Sequence, residues 1–278
     1  MMAETFRDWI GRSVTREDVA SPRLLAEYRA TLEPFLFRPD DDTACPPGFH
    51  FGLAPATPAM TGLAPDGSEA RGALLPPIPL PRRMWAGGAI ETHGPVVPGA
   101  RVRRVSTVAD VQYREGKSGA LYFVSVRHEI ESDGKPAVTE RQDLVFRAEG
   151  SKPSSGQAVA IPAGGLRWTV PASAILLFRF SAFTFNGHRI HYDESYCREE
   201  GYPGLVVHGP MQAALMFNQA AAAMGTVPRR FDYRCVAPLF AGPDFTVHAM
   251  KTGGGASSRI IRHDGITTAE GQADAPGT

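Results

Sequence analysis

The feature that most constrains the fold is a run at residues 210–225, PMQAALMFNQAAAAMG, which is almost entirely apolar around every helical face. The run begins with proline and ends at Gly225, as a helix with defined ends commonly does. It is too short to span a bilayer, which takes about 20 apolar residues. A helix without a polar face must be enclosed by protein, so we predict a core helix wrapped by other elements.

Strand candidates flank this helix on both sides. Residues 122–130 alternate in polarity, and Asp133-Gly134 is typical of a two-residue hairpin turn. The run 174–181, AILLFRFS, is apolar, and we predict that it is a further strand. The remaining candidates are short and bounded by turn residues, namely 99–112, 138–146, 231–236, 245–251, 258–263 and 266–273.

The first part of the chain also contains a helix and a long irregular segment. Ser21-Pro22 predicts a helix start, with Ser21 as the N-cap, and Pro34 predicts its end. Residues 38–81 are rich in proline and glycine and have no sustained period. Because several apolar residues lie within this segment, we predict an ordered loop over the mouth of a pocket rather than a disordered linker.

The chain divides into two halves. Residues 151–165 are linker-like, which predicts an N-terminal domain at 1–150 and a C-terminal domain at 166–278. A short internal repeat suggests that the two halves are related in sequence, because the spacing of Pro95 and Gly99 recurs at Pro238 and Gly242.

Composition excludes several classes of function. Lys+Arg and Asp+Glu balance at 29 each, so no global charge favours nucleic acid or an anionic membrane. The three cysteines, Cys45, Cys197 and Cys235, are far apart, which disfavours a disulfide framework or a zinc knuckle. The N-terminal sequence carries charges where a secretory signal needs an apolar core. We therefore expect a soluble cytoplasmic protein with no nucleic-acid or membrane partner.

Polar residues suited to catalysis are concentrated in residues 183–193, FTFNGHRIHYD, and 202–210, YPGLVVHGP. His191 has a side chain suited to taking a proton from water, and Asn186, five residues earlier, can hold that water. Gly209 stands at the start of the core helix, where free amides and the helix dipole favour an oxygen that gains negative charge. These three are the candidate catalytic residues.

Each of these residues also has a structural interpretation. Gly209 can simply permit a tight turn into the helix, and His191 can be a histidine satisfied by neighbouring backbone. We interpret His188 as a residue that orients the loop, whereas Asp193 either orients His191 or caps a short helical turn. Together with His208 these side chains would be enough metal ligands, but their spacing matches no strong zinc signature, and we predict no metal.

The combination of an Asn/Asp…His loop and a buried helix preceded by YPGLVVHG resembles the MaoC-like hydratases and dehydratases of the hot-dog fold. In that family's motif, D-x-N-P-[LI]-H, an Asp precedes the catalytic His by five residues, whereas residues 186–191 read NGHRIH. The sequence FTFNGHRIHYD is similar to the branch of the family that contains 3-methylfumaryl-CoA (mesaconyl-C4-CoA) hydratase and itaconyl-CoA hydratase. The same similarity is found in the earlier segments WIGR, PLPRRMWAGG, REGKSG and VRHEI. The resemblance spans about residues 9–273.

This resemblance implies an α+β double hot-dog, in which each half is a long central helix wrapped by an antiparallel sheet and only the second half keeps a complete site. It implies a hydro-lyase that reversibly hydrates an α,β-unsaturated acyl-CoA lying between the halves. His191 would act as the base, Asn186 would position the water or His191, and the Gly209 amide would polarise the thioester carbonyl. The resemblance implies no cofactor apart from the coenzyme A of the substrate.

The branch also suggests residues that bind the substrate. Its C5 dicarboxylic thioesters, which give citramalyl-CoA on hydration, carry a free carboxylate, for which an arginine is the suited partner. Arg189 is adjacent to the catalytic residues, and Arg82 or Arg83 can reach in from the first half. His208 and Trp85 complete the predicted substrate contacts.

Two other functions would use the same residues. One is a 3-hydroxyacyl-thioester dehydratase of fatty acid synthesis that acts on acyl carrier protein. The other is a hot-dog protein that binds acyl-CoA without turnover, in which Asn186 marks an inactive site. The sequence also leaves open whether one chain functions alone or pairs into a homodimer.

Overall fold

The computed structural model describes residues 6–38, 43–116, 119–148 and 158–274. The first half contributes β1 (Ser13–Val19), α1 (Pro22–Leu32), β2 (Arg82–Thr92), β3 (Arg101–Gly116), β4 (Gly119–Ser132) and β5 (Lys135–Arg147). The second half contributes β6 (Leu166–Val170), α2 (Ala174–Phe183), α3 (Glu194–Glu199), α4 (Gly209–Met224), β7 (Arg230–Cys235), β8 (Phe245–Thr252), β9 (Gly255–Ile261) and β10 (Thr267–Asp274). No described helix is long and apolar enough to cross a membrane.

All of these strands belong to one antiparallel sheet, in the order β1-β3-β4-β5-β2-β7-β10-β9-β8-β6. The halves meet where β2 pairs with β7, from Gly87 opposite Arg234 to Glu91 opposite Arg230. Of the expected linker, residues 151–157 lie outside the described ranges, so the division at 1–150, 151–165 and 166–278 stays a prediction.

The core helix of the second half is α4, and it is buried along most of its length against β8, β9 and β10. Its three polar side chains are satisfied inside the protein. Gln219 donates to the Val247 carbonyl at 2.7 Å, Asn218 donates to the Pro47 carbonyl at 2.7 Å, and Gln212 accepts from Thr268 at 2.9 Å. The helix ends at Gly225, whose φ of 76° is the left-handed conformation that favours glycine. The predicted wrapped helix is therefore confirmed.

The first half lacks a counterpart of α4 among its described residues, which corrects the expectation of a long central helix in each half. Its α-helix, α1, has 11 residues, begins at the predicted N-cap Ser21 and packs against α2. Residues 43–81 occupy the inner side of this half instead, with 3₁₀ turns at Phe49–Gly52 and Met60–Gly62. Proline and glycine are too frequent there for a helix, and the predicted ordered loop is confirmed for these residues.

The predicted strand at 174–181 is wrong, because these residues form α2. Ser173 caps the helix by accepting a hydrogen bond from the Leu176 amide at 3.1 Å. An apolar run of eight residues fits either structure, and Phe178, which is 66% exposed, shows that α2 is not enclosed on all sides. The strand of this region is β6, which pairs with β8 before the helix begins.

Candidate active site

A cavity of about 1100 Å³ lies between the two halves. The second half lines it with Asn186, His188, His191 and Gly209, at the turn after α2 and the start of α4. The first half lines it with residues of β2, β3, β4 and β5 and of the irregular segment. Among them are Phe51, Gly67, Arg83, Trp85, Arg104 and His128. The structure therefore brings the three predicted catalytic residues to one cavity wall.

His191 is held by a 3₁₀ turn, Arg189–His191, directly after the cavity-lining loop. Its Nδ1 lies 2.7 Å from the Val206 carbonyl oxygen, and because a carbonyl only accepts, Nδ1 carries the proton. Nε2 is then an unprotonated base. Burial, together with the nearby His188 and Arg83, lowers the pKa of His191 to about 3 against the raising effect of the Val206 hydrogen bond. The imidazole is therefore neutral at physiological pH and competent as a base.

His208 lies directly behind His191 and does not line the cavity. The two rings stack with centroids 3.5 Å apart and planes 20° apart. The Nε2 of His208 is 2.8 Å from the Ser181 hydroxyl, and the side chain is completely buried. This geometry favours a role for His208 in supporting the His191 ring, and its role as a substrate contact stays a prediction.

Asn186 follows a residue of unusual conformation. Phe185 has a φ of 51°, a left-handed value that a bulky residue rarely adopts outside functional turns. The Oδ1 of Asn186 accepts a hydrogen bond from the His188 amide at 3.1 Å, which leaves its NH₂ group for a ligand. Asn186 therefore shapes the loop and also lines the cavity.

Gly209 is the first residue of α4, and its lack of a side chain is required. A Cβ at this position would lie 2.9 Å from both Cβ and Cγ of Trp85 on β2. Trp85 in turn is fixed by a hydrogen bond from its Nε1 to the Tyr233 hydroxyl at 3.0 Å. The first amides of a helix have no intrahelical acceptor, so this buried helix start presents free N–H groups beside the cavity.

Only one of the three predicted arginines is placed to meet a ligand. Arg82 pairs with Glu200 at 3.0 Å and lies over the Tyr202 ring. Arg189 pairs with Asp193 at 2.8 Å. Both are paired within the protein and do not line the cavity, which disfavours them as substrate contacts.

Arg83, adjacent to Arg82 on β2, lines the cavity because neighbours on a strand face opposite ways. Within the described ranges it forms no ion pair and no hydrogen bond. Its positive charge is close enough to lower the pKa of both His188 and His191. Arg83 is therefore an available cation beside the candidate base.

Asp193, for which two roles were left open, is the N-cap of α3. Its carboxylate accepts from the Tyr196 amide at 3.0 Å and from the Ser195 hydroxyl at 2.7 Å. These bonds and the Arg189 partner lower the pKa of Asp193 well below its ordinary range. It is a structural residue and does not orient His191.

Sequence reasoning missed Asp66, which comes from the irregular segment of the first half. Its Oδ2 lies 3.7 Å from the Nε2 of His188. Its backbone oxygen accepts from the Arg189 amide at 2.8 Å. Nothing in the local sequence connects Asp66 with a loop more than 100 residues away. Among the described residues no group of three or more His, Cys, Asp or Glu side chains is arranged to hold a metal.

Comparisons with known proteins agree with this geometry. Residues 48–241 match the family model of hydroxyacyl-thioester dehydratase type 2. The chain is 38% identical to the mesaconyl-C(4)-CoA hydratase of Chloroflexus aurantiacus over 271 residues, which are 96% of each protein.

Solved structures confirm the double hot-dog fold. HtdX of Mycobacterium tuberculosis is similar with a TM-score of 0.67 and 16% identity, covering 95% of this chain and 100% of that one. A second Mycobacterium tuberculosis protein, described as having a double hot-dog fold, is similar with a TM-score of 0.58 and 13% identity over 96% of both chains. At such low identity these two structures show the fold alone.

Proposed function

Because the chain belongs to the hydroxyacyl-thioester dehydratase type 2 family, we propose that it reversibly adds water to an α,β-unsaturated acyl-CoA. The mesaconyl-C(4)-CoA hydratase relative supports a C5 dicarboxylic monothioester as the substrate, with citramalyl-CoA as the product. One observation carries the proposal: the free Nε2 of His191 shares a cavity wall with the first amide of a buried helix.

His191 initiates the reaction as the general base. Its Nε2 takes a proton from water while the water oxygen forms a bond to the β-carbon of the substrate. The electron pair of the double bond moves toward the thioester, and the imidazolium then returns its proton to the α-carbon. The Val206 carbonyl keeps Nδ1 protonated throughout, so the same nitrogen accepts and delivers the proton. The NH₂ group of Asn186 holds the attacking water.

The start of α4 stabilises the charge that develops on the thioester oxygen. As the double bond accepts water, this oxygen becomes enolate-like and needs hydrogen-bond donors in a site without bulk water. The Gly209 amide and the positive end of the helix dipole supply this stabilisation. Trp85 packs against the same glycine and keeps the helix start in place.

Arg83 selects a substrate with a carboxylate on the β-carbon. That carboxylate must lie near His191, because His191 delivers water to the carbon that bears it. Among the described residues Arg83 makes no ion pair, it lines the cavity and its charge reaches His191, which supports it as the partner of this group. The proposal therefore assigns Arg83, and not Arg82 or Arg189, to the substrate carboxylate.

The first half disfavours the alternative of a long alkyl chain carried by acyl carrier protein. Its part of the cavity wall includes polar groups from β3, β4 and β5, namely Arg104, Ser106, His128 and Gln142. These groups bond partly to one another, since His128 contacts Ser106 at 2.8 Å and Gln142 at 2.9 Å. A fatty chain would keep water from their remaining hydrogen-bonding capacity, which is costly. A short carboxylated acyl group can leave them hydrated.

The test measures turnover of mesaconyl-C4-CoA, itaconyl-CoA and crotonyl-CoA by absorbance and mass spectrometry, with wild type and Arg83→Met in parallel. We expect Arg83→Met to lower kcat/KM for the C5 dicarboxylic substrate by about 10- to 100-fold, as for the loss of one charge-assisted contact. Crotonyl-CoA, which has no carboxylate, is the internal control and should change by less than about threefold.

Each alternative outcome has a defined meaning. Turnover of crotonyl-CoA alone would support hydratase activity and contradict the proposal of a dicarboxylic substrate. Turnover only of thioesters on acyl carrier protein would support the fatty-acid dehydratase. Tight binding of acyl-CoA without any product would support the non-catalytic alternative.

A further inference from the structure

We infer that Asp66 of the first half is a positioning residue for the active site of the second half, acting through His188. This inference rests on the proposed hydration, because it concerns the proton that His191 takes from water. Asn186 is a neutral amide and cannot offset the positive charge that then forms on the imidazole. A carboxylate that reaches the same loop from the other half can do so.

The segment that carries Asp66 is docked on the catalytic loop by backbone contacts. We define residues 64–69 as the docking loop and residues 184–193 as the catalytic loop. The Arg189 amide donates to the Asp66 carbonyl at 2.8 Å. Gly67 and Gly187 approach so closely that a Cβ on Gly67 would lie 2.1 Å from the Gly187 oxygen. The contact thus fixes Asp66 relative to the catalytic loop independently of its side chain.

The Asp66 carboxylate is held in one orientation. Its Oδ1 accepts from the Ser68 amide at 2.8 Å and from the Ser68 hydroxyl at 2.5 Å. Burial would raise the pKa of Asp66, but the Ser68 hydrogen bonds, the neighbouring His188 and the Arg83 charge outweigh burial and lower it. The group is therefore ionised, and its second oxygen, Oδ2, points to His188 Nε2 at 3.7 Å.

His188 connects this carboxylate to the base. Its ring lines the cavity and meets His191 edge to face, with centroids 5.6 Å apart and planes 89° apart. Its backbone amide donates to Asn186 Oδ1 at 3.1 Å, and its ring lies 3.7 Å from the Asp66 carboxylate. Asp66 favours the protonated form of His188 and orients the ring that His191 contacts, so it acts on the base indirectly.

The positive charge of Arg83 opposes protonation of the neighbouring histidines, and the Asp66 carboxylate offsets it. Burial and the Arg83 charge lower the pKa of His188 to about 4, and Asp66 acts in the opposite direction. Of the described charged groups, Arg83 from β2 and Asp66 from the docking loop act on His188, and Glu69 of the same loop acts on Arg83. The site is a composite, in which the first half supplies charges of both signs to the chemistry of the second.

The test is a double-mutant cycle with Asp66→Asn and His188→Gln, measured on any thioester that wild type turns over. We expect each variant to lower kcat by about 10- to 50-fold with KM changed by less than about threefold, because neither residue binds the ground state alone. The double variant should lower kcat by no more than about twice the factor of the more impaired single variant, because both residues act through the same contact. Asp66→Glu should recover part of kcat.

Asp110→Asn on β3, which makes the same chemical change far from His188, is the matched control and should keep wild-type kcat. Thermal unfolding of every variant confirms the fold. Multiplicative losses in the double variant, or a wild-type kcat for Asp66→Asn, would overturn the inference.

A second readout does not depend on turnover. Histidine NMR of the ligand-free protein should show the His188 titration displaced to lower pH in Asp66→Asn and unchanged in Asp110→Asn. An unchanged His188 titration in Asp66→Asn would refute the electrostatic link. If no thioester is hydrated while this displacement is observed, the proposed function fails and the Asp66–His188 link stands.

Discussion

The two halves share one sheet but fill its inner face differently. In the second half α4 covers the strands with a buried apolar helix whose side chains are almost all enclosed. In the first half the inner face carries a polar cluster, Arg104, Ser106, His128, Glu140 and Gln142, beside an irregular segment and a cavity. The packed helix of the second half presents its first amides beside the cavity, and the first half, whose described residues include no such helix, leaves space for the cavity.

This contrast separates two tasks. The second half contributes the proposed base and amide donor, whose positions depend on close packing around His208 and Trp85. The first half contributes Arg83, Asp66 and the polar wall, to which we assign substrate selection and charge balance. The contrast predicts that changes in the second half abolish turnover, whereas changes in the inner cluster of the first half alter stability.

The largest effect is expected at His191 in the second half. His191→Ala removes the base, and kcat should fall by about 100- to 10,000-fold, the usual contribution of a general base. The measurement is hydration of the best substrate, with thermal unfolding to confirm the fold. His93→Ala in the first half, where His93 contacts Thr139 at 2.9 Å away from the site, is the control and should retain activity. A folded His191→Ala enzyme at the wild-type rate would refute the mechanism.

A smaller loss is expected at the start of α4. Gly209→Ala introduces a Cβ within 2.9 Å of Trp85, so either the helix start or the indole must move. We expect kcat to fall by about 10- to 100-fold, because displacements near 1 Å have that effect on aligned groups. Gly204→Ala is matched to it, since a Cβ there meets nothing within 4 Å. Equal activity of the two variants would mean that the Gly209 amide is not used.

The smallest effect concerns stability and the first half. Glu140 is completely buried, 3.8 Å from both Arg104 Nη2 and His50 Nε2, and burial raises its pKa from 4.5 to about 7. Because the folded state holds this proton more tightly, the stability contribution is full below pH 4.5 and is lost as the pH rises through 7. Glu140→Gln should therefore be more stable than wild type by about 1–2 kcal/mol at pH 8 and nearly equal at pH 4.5.

Thermal unfolding at both pH values measures this difference. Glutamine keeps the shape of the side chain and removes the ionisation, while Arg104 retains its hydrogen bond to the Leu53 carbonyl at 3.1 Å. A Glu140→Gln protein that is less stable than wild type at pH 8 would show that the attraction between Glu140 and Arg104 exceeds the cost of burying the charge.

Several elements in both halves were predictable because their signals are local. The all-apolar run at 210–225, the hairpin at Asp133-Gly134 and the cap at Ser21 are each decided by a few neighbouring residues, and all are confirmed. The run at 174–181 was not, because its apolar side chains suit a strand as well as a helix, and the choice depends on the Ser173 cap.

The candidate site shows the same limit. The identities of His191, Asn186 and Gly209 followed from the sequence, and the structure places all three on the cavity wall. The sequence did not decide between Arg82 and Arg83, because the face of a strand is set by its register with β5 and β7. Asp66 depends on a contact between distant segments, which no local pattern encodes.

The pairing of β2 with β7 has a consequence for how the chain is made. Glu91 and Arg230, which meet across this pairing, are 139 residues apart, so the ladder cannot close until the chain as far as Arg230 has left the ribosome. Until then β2 is an open edge, a template for pairing with another nascent chain. Substitutions in the β2–β7 pairing should therefore lower expression yield at high translation rates more than substitutions in the active site do. Chaperones that cover strand edges should raise this yield.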